Sequence, residues 1–295
     1  MESVAGGSRF AETEMASLIE GYSCLLLDAY GVLLDKSGPL PGAVALIRYL
    51  NEISKPYYIL SNSASTLPEH MAATLAEMRL PIPQQRLITA GLLLLPYFQQ
   101  HGLVGGRCIA LGTQDSLAYV RRAGGTVVSP DTLGSVNAVI IADQTGFPLL
   151  EALDDTLSVV LRQFERQEPT HLVLCNPDLI YPRAPGRFGF TAGGLAAMLE
   201  AVLRERYPES AYGFVRLGKP FQGMFEEAVS RAGTRNMVMI GDQLATDVLG
   251  ANQFGIDSVL ISSGLGFTAR AVLWERGIVP TYVLPSLHLR PVARG

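Results

Sequence analysis

Short apolar runs alternate along the whole chain with stretches in which apolar residues recur at helical spacing. The apolar runs predict buried strands at residues 24–27, 57–60, 107–111, 126–129, 138–142, 171–175, 237–240 and 258–261. The helical spacing predicts helices at residues 11–20, 43–53, 68–78, 116–123, 150–167, 193–206, 223–232 and 247–254, and a C-terminal helix that carries Trp274. Strands that alternate with helices indicate βαβ units, so we predict an α/β fold built on parallel sheets.

Composition narrows the class of protein. The 295 residues are 48% hydrophobic and 17% charged with a net charge of −4, which excludes a disordered chain. No run of Lys and Arg is present, so we expect no nucleic-acid partner. The most apolar window, residues 87–98, is shorter than the roughly 20 residues of a membrane span, so we expect no membrane segment. The three cysteines lie far apart, which argues against a zinc site or disulfides and favours the cytoplasm.

Polar residues follow four of the apolar runs. They are Asp28-Ala29-Tyr30-Gly31, Ser61-Asn62-Ser63, Gly218-Lys219-Pro220, and Gly241-Asp242 with Thr246-Asp247. Each group alone fits a turn, a helix cap or a solvated lysine. Functional sites of parallel sheets gather beyond the carboxyl ends of the strands. Together the groups supply a carboxylate nucleophile, a hydroxyl, an ammonium and an acidic pair, which suits attack on a phosphoryl group with Mg²⁺ neutralising charge.

The same motifs resemble the haloacid dehalogenase (HAD) superfamily, and in particular its type IIA cap branch of sugar-phosphate, nucleotide, pyridoxal-phosphate and nitrophenyl-phosphate phosphatases. The runs that carry the resemblance are LLLDAYGVLLDKSGPLPGA (25–43), LSNSAS (60–65), CNPD (175–178), GKPFQGMF (218–225) and IGDQLATDVLGANQFGIDSVLISSGL (240–265). The resemblance implies a Rossmann-like parallel-sheet core with an inserted α/β cap domain.

Motif spacing places that insertion. Asp28 and Ser61 are 33 residues apart, too close for an inserted domain, whereas Ser61 and Lys219 are 158 residues apart. We therefore expect a discontinuous hydrolase core at residues 1–90 and 190–295 and a type IIA cap at residues 91–189.

The resemblance also implies roles for individual residues. In this assignment Asp28 is the nucleophile and a metal ligand, Asp242 ligates Mg²⁺, and Asp247 orients the metal's water shell. Ser61 with Asn62 binds the transferred phosphoryl group, and Lys219 bridges Asp28 and the phosphate. Asp178 lies on a substrate-contacting loop. A plain turn after Pro177 is an equally good interpretation of Asp178.

One position departs from the D-x-D-G motif of the family's phosphatases. Tyr30 stands where the second Asp acts as general acid and base. A phenol with a pKa near ~10 is a poor proton shuttle at neutral pH. The resemblance implies a backbone carbonyl as the metal ligand at this position, and Tyr30 also supplies one, so we expect metal binding to be kept. One hypothesis is that Asp178 or Asp35 supplies the missing carboxylate.

The sequence leaves three functions open. The first is a Mg²⁺-dependent phosphomonoesterase that is weak or restricted to good leaving groups, acting on a small phosphorylated metabolite. The second is a weakly active or non-catalytic protein that binds a phosphate ligand. The third is a haloacid dehalogenase-type hydrolase, since D-A-Y-G (28–31) is similar to the start of those enzymes. The acidic pair Asp242 and Asp247 opposes the third. A homodimer is compatible with the apolar composition.

Overall fold

A computed structural model describes residues 11–184, 186–210, 212–262 and 277–289. The strands are β1 (Ala11–Glu12), β2 (Cys24–Asp28), β3 (Leu34–Asp35), β4 (Gly38–Pro39), β5 (Tyr57–Ser61), β6 (Leu87–Thr89), β7 (Arg107–Leu111), β8 (Thr126–Val128), β9 (Ala138–Ile141), β10 (His171–Leu174), β11 (Ile180–Ala184), β12 (Arg187–Phe190), β13 (Val215–Arg216), β14 (Met237–Gly241), β15 (Asp257–Ile261) and β16 (Tyr282–Leu284). The helices are α1 (Met15–Gly21), α2 (Ala43–Glu52), α3 (Pro68–Glu77), α4 (Leu94–Gln100), α5 (Gln114–Arg122), α6 (Leu149–Glu165), α7 (Ala192–Arg206), α8 (Gly223–Ala232) and α9 (Leu249–Phe254).

The first of two compact units comprises Met1–Ser61, Met71–Ile88 and Phe225–Gly295. Its seven-stranded sheet has the order β1-β16-β15-β14-β2-β5-β6. Both faces of β2, an interior strand beside the central β14, are covered, since every one of its residues is buried. Helix α2 buries Ala43, Leu46, Ile47 and Leu50, which recur at the spacing of one helix face. A parallel sheet needs this cover, so continuous apolar runs such as 24–27 form its centre.

Strand register in this sheet brings three carboxyl ends to one edge. Leu27 of β2 pairs with Ile240 of β14, and Asp28 pairs with Leu60 of β5, both in parallel. Asp28 and the residues that follow Gly241 therefore leave the sheet side by side.

The second unit comprises Asn62–His70 and Thr89–Met224. Its parallel sheet has the order β13-β10-β9-β7-β8, and an antiparallel hairpin pairs β11 with β12. Helices α6 and α7 contribute Val160 and Leu199 to the same buried cluster as Val139 of β9. The unit therefore has a hydrophobic core of its own.

The predicted α/β fold class is confirmed, and most predicted elements lie within two residues of their observed bounds. The prediction of one helix over 11–20 is wrong at its start, because residues Ala11–Glu12 pair as a strand with β16 and α1 begins at Met15. The helix predicted at 247–254 is present, but α9 begins at Leu249 and a π-helical turn, Leu244–Val248, precedes it. The helix predicted around Trp274 lies outside the described residues. The division into a core (1–90, 190–295) and a cap (91–189) stays a prediction.

In the described part of the chain, no helix combines the length and the apolar character that crossing a bilayer would need.

Candidate active site

Three buried carboxylates meet at the edge of the seven-stranded sheet. Asp28 is the last residue of β2, Asp242 follows β14 directly, and Asp247 lies in the π-helical turn. One ligand oxygen from each lies within 4.8 Å of the others. All three side chains are at most 6% exposed. The structure thus brings together the three acidic residues that the sequence predicts as metal ligands.

Two glycines make this crowding sterically possible. A Cβ atom at Gly31, whose φ is +93°, would lie 2.3 Å from Oδ2 of Asp242. A Cβ atom at Gly241 would lie 2.3 Å from the carboxylate of Asp247. The backbone N–H of Gln243 donates to Oδ2 of Asp247 at 3.1 Å and fixes that carboxylate. The carboxylates therefore occupy space that any other residue at positions 31 and 241 would fill.

The donor set fits a hard divalent cation. Three carboxylates gathered away from water repel one another, and a cation among them relieves that repulsion. Mg²⁺ and Ca²⁺ both take oxygen ligands of this kind. Asp28, Asp242 and Asp247 are the side chains that would hold the ion.

Tyr30 follows Asp28 by two residues in the chain and is 40% exposed. Partial burial raises the pKa of its phenol, and the negative charge of Asp35 raises it further. The phenol therefore keeps its proton more firmly than a free tyrosine does. It can donate a hydrogen bond but transfers a proton poorly at neutral pH.

Asp35 serves the hairpin formed by β3 and β4. Its Oδ1 accepts hydrogen bonds from the Ser37 hydroxyl at 2.6 Å and from the Ser37 backbone N–H at 2.7 Å. These bonds lower the pKa of Asp35. A carboxyl with a lowered pKa is deprotonated at neutral pH, so this geometry disfavours Asp35 as a substitute general acid.

A second polar network lies in the second unit and joins Asn62, Lys219 and Asp178. The backbone N–H of Lys219 donates to Oδ1 of Asn62 at 2.7 Å, and Nδ2 of Asn62 donates to the carbonyl of Lys219 at 3.1 Å. Nδ2 of Asn62 also donates to Oδ1 of Asp178 at 3.1 Å. Asn62 and Lys219 are both buried, at 7% and 2% exposure. The carboxamide of Asn62 therefore holds the backbone of Lys219 at two points.

The close approach of these segments of the chain depends on Gly218. A Cβ atom there would lie 2.7 Å from Oδ1 of Asn62 and 2.6 Å from Cδ of Pro177. Only a residue without a side chain lets the segment before Lys219 come this close.

Asp178 forms the turn that was one of its two interpretations, and its contact with substrate stays a prediction. Its backbone N–H donates to Oδ1 of Asn176 at 3.0 Å, and its carbonyl accepts from the Thr191 hydroxyl. Those contacts form the turn, while its carboxylate accepts from Asn62. Sequence reasoning did not single out Asn176 or Thr191. The Asn-Pro-Asp run is the sequence signal for Asn176, because an Asn side chain often accepts a hydrogen bond from the backbone N–H two residues further along the chain.

Ser61 ends β5 and is half-buried, at the strand end beside that of β2. The structure thus brings together Asp28, Asp242 and Asp247 in the first unit and Asn62, Asp178 and Lys219 in the second. The catalytic, phosphate-binding and metal-binding roles of these residues, including that of the Tyr30 carbonyl, stay predictions.

Two family models match the chain. One, described as haloacid dehalogenase-like hydrolase, matches residues 25–126, and another, described as HAD-hydrolase-like, matches residues 216–289. The dihydroxyacetone phosphatase of Corynebacterium glutamicum is 24% identical over 89% of this chain and 88% of its own length.

Solved structures show the same similarity. A possible sugar phosphatase of the HAD superfamily from Cytophaga hutchinsonii superimposes with a TM-score of 0.82 at 29% identity, over 96% of this chain and all of that one. The glycerol phosphate phosphatase of Mycobacterium tuberculosis, solved in complex with calcium, superimposes with a TM-score of 0.75 at 23% identity, over 92% of this chain and 75% of that one.

Proposed function

The chain belongs to the haloacid dehalogenase superfamily of hydrolases, in its type IIA branch, and from this premise we propose that it is a Mg²⁺-dependent phosphomonoesterase with Asp28 as nucleophile. The family match confirms the resemblance seen in the sequence motifs. The observation that carries the proposal is the cluster of Asp28, Asp242 and Asp247, three buried carboxylates with ligand oxygens within 4.8 Å of one another.

The proposed reaction has two displacements. A carboxylate oxygen of Asp28 forms a bond to phosphorus while the bond from phosphorus to the ester oxygen breaks, which leaves an aspartyl-phosphate and an alcohol. Water then attacks the phosphorus, releases inorganic phosphate and restores Asp28. A bound divalent ion supplies charge neutralisation between the anionic nucleophile and the anionic ester.

The remaining polar residues bind the phosphoryl group and neutralise its charge in this proposal. By resemblance, the Ser61 hydroxyl donates to the transferred phosphoryl group, and the Lys219 ammonium offsets its negative charge. The Nδ2 group of Asn62 already donates to the Lys219 carbonyl and to Asp178, so we propose that Asn62 helps by holding Lys219. The contacts of Asn62 with the Lys219 backbone support a joint role, because one carboxamide sets the position of the residue that carries the ammonium. Asp178, bonded to the same carboxamide, is the residue through which we propose that the substrate is contacted.

Tyr30 limits the leaving groups. The departing alkoxide needs a proton, and the raised pKa of the Tyr30 phenol makes it a weak donor. Aryl and acyl phosphates leave with little help, whereas sugar and glycerol phosphates need an acid. We therefore propose fast turnover of p-nitrophenyl phosphate relative to alkyl esters.

The natural substrate that we propose is a small phosphorylated metabolite. Relatives named for dihydroxyacetone phosphate and glycerol phosphate favour a phosphorylated compound of about this size. All three cysteines are free thiols, in keeping with our proposal of a cytoplasmic enzyme.

Phosphate release with Mg²⁺ tests the proposal on p-nitrophenyl phosphate, glycerol phosphate and dihydroxyacetone phosphate. Asp28→Asn should abolish turnover. Asp143→Asn is the matched control, because Asp143 is as buried as Asp28 and also follows a parallel strand, yet it accepts its bonds from Thr145 at 2.6 and 2.9 Å. Turnover that survives Asp28→Asn, or that needs no metal, contradicts the proposal.

A non-catalytic phosphate-binding protein is the second candidate, and the exposed, firmly protonated Tyr30 is the observation that favours it. Stabilisation by inorganic phosphate with no turnover of any ester would identify it. Halide release from a 2-haloacid without metal would identify the dehalogenase instead.

A further inference from the structure

Four consecutive residues that follow the Ser61-Asn62-Ser63 motif are each held by a side chain from α5 or from its N-cap residue, Thr113. The Ser116 hydroxyl donates to the Ala64 carbonyl at 2.8 Å, the Thr113 hydroxyl to the Ser65 carbonyl at 2.6 Å, the Tyr119 hydroxyl to the Thr66 carbonyl at 2.8 Å, and the Leu67 N–H donates to Oδ2 of Asp115 at 2.9 Å. All eight residues belong to the second unit. A surface loop ordinarily leaves such groups to water, so this segment is held far more tightly than a simple connection needs.

The Tyr119 hydroxyl lies on a buried side chain and makes a second hydrogen bond. Tyr119 is 3% exposed, and its hydroxyl also bonds Oγ1 of Thr89 at 2.7 Å. The ring fits only because position 91 is glycine, since a Cβ atom at Gly91 would lie 2.6 Å from it. The hydroxyl takes no part in capping α5, whose capping box is made by Thr113 and Ser116. Its contact with the loop is therefore separable from the stability of the helix.

Asp115 joins the loop to His70. Burial by itself would raise the pKa of Asp115, but the hydrogen bonds from the Leu67 N–H and from His70, whose Nδ1 lies 2.7 Å away, outweigh it and leave the pKa lowered. The carboxylate is thus charged at neutral pH, which gives the stronger, charge-assisted hydrogen bond to the loop.

The other end of the same segment holds Lys219. Asn62 lies two residues before Ala64, and its carboxamide makes both hydrogen bonds to the Lys219 backbone. Residues 64–67 are thus separated from the carboxamide that holds Lys219 by a single residue, Ser63.

We propose that Thr113, Asp115, Ser116 and Tyr119 form a clamp, the α5 clamp, that positions Asn62 and through it Lys219. They are positioning residues, since none of them is assigned to contact the substrate. The catalytic consequence rests on the proposed phosphatase function, whereas the positional claim stands apart from it.

Tyr119→Phe tests the clamp, with Tyr97→Phe as the matched control. The Tyr97 hydroxyl also makes a hydrogen bond in this unit, to Nδ1 of His171 at 3.0 Å, but not to the loop. Amide hydrogen exchange is measured on the peptides that contain Lys219 and residues 64–67. We expect faster exchange in both peptides for Tyr119→Phe and no change for Tyr97→Phe. Unchanged exchange at Lys219 in Tyr119→Phe overturns the proposal, whatever the activity of the protein.

Steady-state kinetics give the second readout. Loss of one hydrogen bond should lower kcat about 3- to 10-fold in Tyr119→Phe while KM changes less than about 2-fold, because Lys219 acts on the transition state. Thr113→Ser, which keeps the hydroxyl, should restore the kcat lost in Thr113→Ala. An unchanged kcat in Tyr119→Phe overturns the catalytic role of the clamp. A wild type that hydrolyses no ester refutes the proposed function instead and leaves hydrogen exchange to decide the positional claim.

Discussion

Replacing Gly31 by alanine should disturb the carboxylate cluster although every residue with a proposed chemical role is left in place. The backbone at Gly31 has a φ of +93°, and the new Cβ would lie 2.3 Å from Oδ2 of Asp242 and 2.5 Å from its Cγ. The substitution therefore introduces backbone strain and a clash with a predicted metal ligand.

The two effects have different sizes and different consequences. Backbone strain at a positive φ costs about 1–3 kcal/mol and lowers stability. The clash is relieved only if the Asp242 carboxylate moves by about 1 Å, since ordinary contact begins at 3.4 Å. A misplacement of about 1 Å costs on the order of 10²-fold in rate, and disturbing the surroundings of metal ligands costs about 10- to 100-fold in metal affinity.

Gly38→Ala is the control, because Gly38 has a φ of +120° and a Cβ atom added there would meet no atom within 4 Å. It carries the strain without the clash. The assay is kcat/KM on p-nitrophenyl phosphate across a Mg²⁺ titration, with thermal unfolding in parallel. We expect both variants to lose stability and Gly31→Ala alone to lose about 10²-fold in kcat/KM. Equal activity losses in the two variants would refute the reasoning.

Three further predictions concern Tyr30, the three cysteines and Asp115. Tyr30→Asp should raise kcat for glycerol phosphate by about 10²-fold and change p-nitrophenyl phosphate turnover far less, because it restores a general acid; equal gains on both esters in a steady-state assay would contradict this. Burial raises the pKa of the Cys24 and Cys108 thiols to about 11 and that of the Cys175 thiol to about 12. Iodoacetamide at pH 8 should therefore label none of them in the folded protein and all of them in urea, as mass spectrometry would reveal; rapid labelling of the native chain argues against their burial. The lowered pKa of Asp115 means that its stabilising contribution is present above an ordinary value of about 3.8 and is lost as the pH falls through the lowered folded value. The Tm difference between wild type and Asp115→Asn should thus be largest near neutral pH and disappear in acid, and a difference that grows in acid would oppose this sign.

The parallel strands could be predicted because each is a continuous apolar run. Strands β2 and β14 are buried on both faces. A strand buried in this way needs apolar residues at successive positions, which the sequence shows as the runs CLLL and MVMI. Strands of two residues carry no such pattern. Strands β3 and β4 form from the local turn at Asp35 and Ser37, and β1 forms by pairing with β16, which lies more than 260 residues along the chain.

The acidic cluster could be predicted as a set of residues but not as a packing arrangement. Asp28 and Asp242 lie at the ends of neighbouring strands because β2 and β14 are adjacent in the sheet. The order of strands in a sheet cannot be read from the local sequence of each strand. Nothing in the letters indicates that Gly31 and Gly241 make room for carboxylates, since glycine also serves turns. Likewise, the sequence assigns Asn62 to phosphate, whereas its carboxamide lies against the Lys219 backbone.

Thermal unfolding with Mg²⁺ or with EDTA tests most directly whether Asp28, Asp242 and Asp247 form a cation site. Saturating Mg²⁺ should stabilise the wild type, by about 2.7 kcal/mol at 100 times its Kd. In Asp242→Asn, where one of the three carboxylates is removed, that gain should largely vanish, while Asp143→Asn should keep it. A wild type whose unfolding is the same with Mg²⁺ and with EDTA, or an Asp242→Asn variant that is stabilised as much as the wild type, would contradict the account.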